Sequence, residues 1–173
     1  IRLSLVGSEM CIRDRYETIA GCGSNLGIFD PHAVIEMNFY CDAYGLDTIS
    51  VGTSIAFAME CFSMDLINET HTGGINLSFG NRSAALEIVH QMAKGEGFGH
   101  IVGRGVREMK SIFSRDYKAD LNIMQDIGME AKGLEFSEYM TKESLAQQGG
   151  YGLALKGPQH DEALSLIHIS EPT

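Results

Sequence analysis

Two carboxylates five positions apart flank a glycine in Asp42-Ala43-Tyr44-Gly45-Leu46-Asp47. Ionised Asp side chains accept hydrogen bonds from ring N–H and amino groups, so a pair of them can grip a polar heterocycle. A glycine between them lets backbone approach a ligand closely. A helix beginning at the second Asp presents free N–H groups to anionic atoms. The same six residues also read as a bare corner, in which one helix ends at Gly45 and Asp47 merely caps the next. On local grounds both readings stay open.

The corner has to be positioned by helices on each side. Asp30-Pro31 reads as a helix start, since Asp caps free N–H groups and Pro at the first helical position has no N–H to leave unpaired. From His32 to Tyr44, apolar Val34, Ile35, Met37, Phe39 and Cys41 recur at helical spacing, on a wide face. Thr48 to about Met64 reads as a second helix. Its only charge up to Cys61 is Glu60, which predicts burial on most sides. Ser83 to Lys94 forms an amphipathic helix capped by Ser83 or Asn81. Ile101 to Phe113 reads as one helix weakened by Gly103 and Gly105.

Between these elements the chain reads as irregular. Gly21, Gly23 and Gly27 predict a loop with short turns over residues 16–29. Residues 65–81 form a loop in which Ile75, Leu77 and Phe79 alternate like a short strand. The polar segment 114–126 is a candidate boundary, followed by a strand-turn piece over 129–135. The glycines from Gly149 onward suggest backbone approaching a ligand or another backbone. The fold class expected is mainly α, multihelical, with little sheet.

The run YET–x6–NLGI–x7–E–x4–CDAYGLDTIS–x4–IAFAMEC between Tyr16 and Cys61 resembles the tungsten- and molybdenum-pterin aldehyde ferredoxin oxidoreductase family. The likeness continues through Met129–Glu135, similar to a "VKGLE" stretch, to Ala163. The resemblance implies a fragment of that family's domains 2 and 3, with residues 16–125 in the later part of helical domain 2 and 126–163 opening domain 3. It implies that Asp42, Gly45, Leu46 and Asp47 contact a pterin. It places Glu17 near the metal as an acid or base, and His160 beside it in proton transfer. Glu36, six residues before the motif, with His90 as its best partner, matches a metal pair at a dimer interface.

The cofactors implied are a tungsten or molybdenum bis-pterin and a [4Fe–4S] cluster, whose cysteine ligands lie outside this fragment. The partners implied are ferredoxin or another electron-transfer subunit, a small organic substrate, and further subunits in a homo- or hetero-oligomer. Lys156-Gly157-Pro158-Gln159-His160-Asp161-Glu162 departs from the Arg-Gly form of aldehyde-oxidising members. It looks more like the catalytic subunit of class II benzoyl-CoA reductases, an alternative substrate reading. A cofactor-free helical interaction domain is the alternative of another class.

The two ends read differently from the rest. One DNA segment encodes Leu164–Thr173, and its reverse complement in a shifted frame encodes Val6–Asp14, matching a transposase-type sequencing adapter. Residues 1–15 and 164–173 are therefore expected to be adapter-derived, so Cys11 and His168 belong to no site. Net charge is −10 and no basic cluster is present, which disfavours nucleic acid and anionic membranes as partners. The apolar run around Ile49 to Phe62 is too short and too polar to span a bilayer. Cys22, Cys41 and Cys61 fit no CxxC metal pattern and are expected as buried reduced thiols in a cytoplasmic protein.

Overall fold

A computed structural model describes residues 16–139, 145–155 and 157–158. Among them the architecture is helical, with one two-stranded sheet. Helix α1 covers residues 16–22, and a 3-10 turn, Ser24–Leu26, follows. Then come α2 (Pro31–Tyr44), α3 (Thr48–Ser63), α4 (Arg82–Lys94), α5 (Gly97–Val102), α6 (Val106–Asp116) and α7 (Leu121–Ile127). Strands β1 (Glu130–Ala131) and β2 (Leu134–Glu135) pair antiparallel, and α8 (Leu145–Leu153) ends the described chain.

The caps form as the residue types dictate. Asp30 accepts from the His32 N–H at 3.0 Å with Pro31 in the first turn, Asp47 accepts from Ser50 at 2.9 Å, and Asn81 accepts from Ala84 at 3.2 Å. Gly45 ends α2 with φ 70°, a conformation that costs a residue with a Cβ. The next amide, Leu46 N–H, closes back on the Cys41 carbonyl at 2.8 Å. That bond reverses the chain and sets the angle at which α3 leaves.

Helix α3 is the axis of the fold. Val51, Ile55, Phe57, Ala58, Met59 and Cys61 are all buried on it, and it packs against the 3-10 turn, α4, α5, α6, α7 and β2. Glycine makes the closest of these approaches possible. A Cβ on Gly52 would lie 2.6–2.7 Å from backbone atoms of Gly21, so α1 and α3 touch backbone to backbone. Phe57, Phe98 and Phe113 stack in the core beyond, with centroids 5.9 to 6.3 Å apart.

Three local expectations are corrected. Residues 16–22 are helical, not a loop, because Thr18 and Cys22 are buried against α3 and tertiary packing outweighs the glycine signals. The stretch over 101–113 is two helices: Gly105 takes φ 85°, and the Glu135 carboxylate accepts from the first amide of α6, Val106, at 2.9 Å. The 75–79 segment forms no strand. Thr72 Oγ1 donates to the Ile75 carbonyl at 2.6 Å, and Gly80 N–H donates to Leu26 O at 2.8 Å, so its polar backbone is satisfied by loops rather than a ladder. The strand-turn expected at 129–135 is present as β1–β2, held to α6 by Glu130 between Arg107 (2.9 Å) and Lys110 (3.6 Å).

Candidate functional site

The corner between α2 and α3 opens on a cavity of about 180 Å³ lined by Glu17, Thr18, Asn38, Asp42, Leu46, Asp47, Thr48 and Ile49. Four of the residues singled out in the sequence therefore share one wall. Asp42 sits in the last turn of α2, where Asn38 donates to its Oδ2 at 3.1 Å. Asp47 uses its Oδ2 on the Ser50 amide. The second oxygen of each Asp has no hydrogen-bond partner among the described residues. Among the described residues nothing lies within 4 Å of a Cβ added at Gly45, which also lines a second cavity of about 290 Å³ with Leu46 and Asp47.

Glu17 reaches this cavity from α1, although only 2% of it is exposed. Ser137 Oγ donates to its Oε1 at 3.0 Å and the Glu138 amide donates to its Oε2 at 2.7 Å. Beside it, Thr18 and Thr48 hydroxyls meet at 3.0 Å and tie α1 to the start of α3. The segment after β2 thus carries the groups that hold Glu17.

Glu138 was not visible from the sequence. Its carboxyl is pushed up to about 7, chiefly by burial, with the nearby Glu17 adding and a hydrogen bond from Thr53 opposing. Thr53 Oγ1 donates to Glu138 Oε1 at 2.9 Å and Asn25 Nδ2 donates to it at 3.5 Å. A Cβ at Gly21 would stand 3.2 Å from that same oxygen. No spacing rule connects residue 138 to residues 17, 25 and 53. Only an isolated Glu three positions after Glu135 marks it.

The structure engages Glu36 and His90 separately. Glu36 forms an ion pair with Arg82, which also reaches Asp30 at 3.0 Å. The His90 Nδ1 lies 2.9 Å from the Tyr44 hydroxyl, and its ring stands edge-on to Tyr40 at 4.4 Å. Those contacts lie one and two helical turns from Glu36. No cluster of three or more His, Cys, Asp or Glu side chains suited to a metal ion occurs among the described residues. His160 lies outside the described residues.

The cysteines Cys22, Cys41 and Cys61 are free and buried. Burial pushes the Cys61 thiol up to about 12. Cys22 is raised by its hydrogen bond with Cys41 and then by burial, while the same bond lowers Cys41. Among the described residues no helix is long and apolar enough to cross a membrane.

Comparison with known proteins shows which family the chain is similar to. The sequence model described as "Aldehyde ferredoxin oxidoreductase, domains 2 & 3" matches residues 7–171. The chain belongs to the aldehyde ferredoxin oxidoreductase family. It is 37% identical over 131 residues to a tungsten-containing aldehyde ferredoxin oxidoreductase of Pyrococcus abyssi, covering 70% of this chain and 22% of the relative. A protein of the same name from Pyrococcus furiosus is 30% identical over 146 residues, covering 84% of this chain and 23% of the relative. An aliphatic sulfonate oxidoreductase, WOR-like subunit, of Pyrococcus furiosus is 28% identical over 138 residues, covering 80% and 20%. The chain thus spans about a fifth to a quarter of the length of the curated relatives it matches. The mainly helical fold, with its minimal sheet, is that of a piece of this family's domains 2 and 3.

Proposed function

We propose that the chain is part of a tungsten-pterin oxidoreductase, with the α2–α3 corner holding one pterin. The supporting observation is the shared cavity: Glu17, Asp42, Leu46 and Asp47 meet in one space of about 180 Å³. The donor set fits. Unused carboxylate oxygens on Asp42 and Asp47 match ring N–H and amino groups, and the start of α3 offers amides to anionic oxygens. When bound, the metal-pterin group supplies two-electron redox chemistry.

This chain's own residues bind, orient and handle protons. Asp47 both starts α3 and offers its free oxygen to the ring, so its position is fixed by the helix it caps. Gly45 and Leu46 set the reversal that brings Asp42 and Asp47 to one cavity. Glu17, fixed by Ser137 and the Glu138 amide, is placed to hold or pass a proton beside the cofactor, and His160 is assigned the partner role. A small organic substrate, a [4Fe–4S] cluster held by cysteines elsewhere in the full-length protein, and ferredoxin or another electron carrier complete the reading. Segment 16–125 then belongs to domain 2 and 126–163 to domain 3.

The test is Asp47→Asn in the full-length protein, assayed for tungsten and pterin. Asn caps a helix about as well as Asp, so stability is expected to change by at most a few tenths of a kcal/mol. Tungsten and pterin content is expected to fall well below wild type. Unchanged metal and pterin content would leave Asp47 as a cap alone. A wild-type protein without tungsten, molybdenum or iron would favour a cofactor-free helical domain instead.

A further inference from the structure

The cavity of about 290 Å³ lies where α3, the turn between α5 and α6, and the β1–β2 hairpin meet. It shares only Leu46 and Asp47 with the smaller cavity at the corner, whose lining includes Glu17 and Asp42. Helical spacing builds one of its walls. Asp47, Ser50 and Ser54 fall at positions i, i+3 and i+7, so they share one stripe of α3. Glu135 joins them from β2.

Two of these polar side chains are almost wholly buried: Glu135 is 4% exposed and Ser54 is 2% exposed. Glu135 Oε1 accepts from the Val106 amide at 2.9 Å. A Cβ at Gly105 would stand 2.7 Å from that oxygen, so the glycine is what lets the carboxylate reach the start of α6. That bond fixes the carboxylate and leaves Oε2 over. Among the described residues Oε2 has no hydrogen-bond partner, and neither do the Ser50 and Ser54 hydroxyls. Glu135 Oε2 and Ser54 Oγ are open to the cavity rather than sealed in protein. Buried polar oxygens are ordinarily paired. A carboxylate oxygen only accepts, so what meets it must bring N–H or O–H donors.

We propose that this cavity binds a small primary alkylammonium ion, whose N–H groups meet Glu135 Oε2 and the Ser50 and Ser54 hydroxyls and whose alkyl body lies against Leu46, Val51, Met92 and Val102. An ammonium carries three donors and no acceptor, which matches three oxygens in need of donors. Ser50 and Ser54 are one turn apart on α3, about 5–6 Å between Cβ atoms, a gap that one nitrogen bridges. Asp47 adds negative charge from the same stripe, while its oxygens serve the Ser50 amide and the corner. Arg104 also lines the space, but its Nη2 lies 3.4 Å from His100 Nε2, on the side of its own helical turn. A divalent metal ion is the poorer match. It requires six or more oxygens, it would leave the apolar wall against water, and the Arg104 charge opposes it more strongly than it opposes a single positive charge. The site uses no group of the pterin, so it stands apart from the function proposed above.

The experiment measures binding, not turnover. Calorimetric affinities of the full-length protein for n-butylammonium and for its uncharged counterpart 1-butanol are taken at neutral pH, where an alkylammonium keeps its proton as a lysine does. Wild type is expected to bind butylammonium about tenfold more tightly than the alcohol, the worth of one hydrogen bond to a charged group.

Glu135→Gln keeps an acceptor for the Val106 amide and loses the charge. Its butylammonium affinity is expected to fall about tenfold with butanol affinity unchanged. Should that variant fold poorly, Ser54→Ala is expected to weaken butylammonium about fivefold by removing one acceptor. Glu60→Gln removes a half-buried acid of α3 outside this cavity and is expected to leave both affinities alone. Equal affinity for the ion and the alcohol in wild type means that water alone fills the space, and overturns the proposal. So do equal losses in Glu60→Gln and Glu135→Gln, which would mark diffuse attraction by the acidic surface. Absence of butylammonium binding overturns it too, including the case in which a lysine from elsewhere in the full-length protein already fills the cavity.

Discussion

A carboxyl group carried from water into the wall of a cavity keeps its proton to higher pH, and Glu138 is such a group, raised by burial to about 7. The sign of its effect on stability follows. Between the ordinary glutamate range and about 7 the folded chain binds a proton at Glu138 that the unfolded chain has released. Folding stability from this residue is therefore greatest at low pH and is lost as pH rises through about 7. Urea denaturation of wild type and Glu138→Gln across that range is expected to show the wild type losing ground steadily to the variant. A difference that stays flat with pH would mean that Glu138 is already ionised. This group was illegible in the sequence because its surroundings come from Asn25, Thr53 and Glu17, 113, 85 and 121 residues away. The caps Asp30, Asp47 and Asn81 were legible because each acts on an amide two or three positions on. Glu17 lies between these cases: family likeness picked it out, but the Ser137 hydroxyl and Glu138 amide that donate to it come from the distant 137–138 segment.

Helices meet here through glycine as much as through apolar side chains, and this is where element-level reading fell short. Gly21 reads as a turn signal and nothing in the sequence singles out Gly52 for packing, yet they are the contact that lets α1 lie on α3 and carry Glu17 to the cavity. Gly52→Ala would put a methyl group 2.6 Å from the Gly21 backbone. Because neither backbone is a flexible side chain, the strain is expected to cost on the order of 1–3 kcal/mol. Gly149→Ala is the matched control: it lies within α8, and among the described residues nothing is within 4 Å of an added Cβ. There alanine is expected to stabilise by about 0.5–1 kcal/mol through helix propensity. Thermal denaturation of the two variants should move in opposite directions. A neutral Gly52→Ala would show that α1 can slide without penalty. The break between α5 and α6 was missed for a related reason. Glycines at 103 and 105 looked like defects in one helix, but the partner that rewards the break, Glu135, comes from the hairpin after α7.

At the scale of the whole molecule, α2 is apolar on more than the side it buries. Ala33, Val34, Met37 and Cys41 face the core. Ile35 and Phe39, one turn apart, remain 65% and 64% exposed, and Phe29 just before the helix is 81% exposed. The sequence revealed this helix as having a wide apolar face but could not divide buried from exposed, since both sets recur at helical spacing. The division is made by α4, whose Arg82 and His90 engage Glu36 and Tyr44 and so fix which side of α2 turns inward. Adjacent exposed aromatic and aliphatic side chains on one helix favour association of chains. The net charge of −10 opposes it, but salt screens that repulsion within about 10 Å at 0.1 M. Self-association of the chain is thus expected to increase with ionic strength, as followed by light scattering. The double variant Ile35→Lys, Phe39→Lys is expected to suppress this association while leaving the denaturation midpoint nearly unchanged, because exposed substitutions usually shift stability by no more than about 0.5 kcal/mol. If association persists in that variant with the fold intact, the adhesive surface lies elsewhere, with exposed Leu145, Leu153 and Leu155 near α8 as the next stretch to alter.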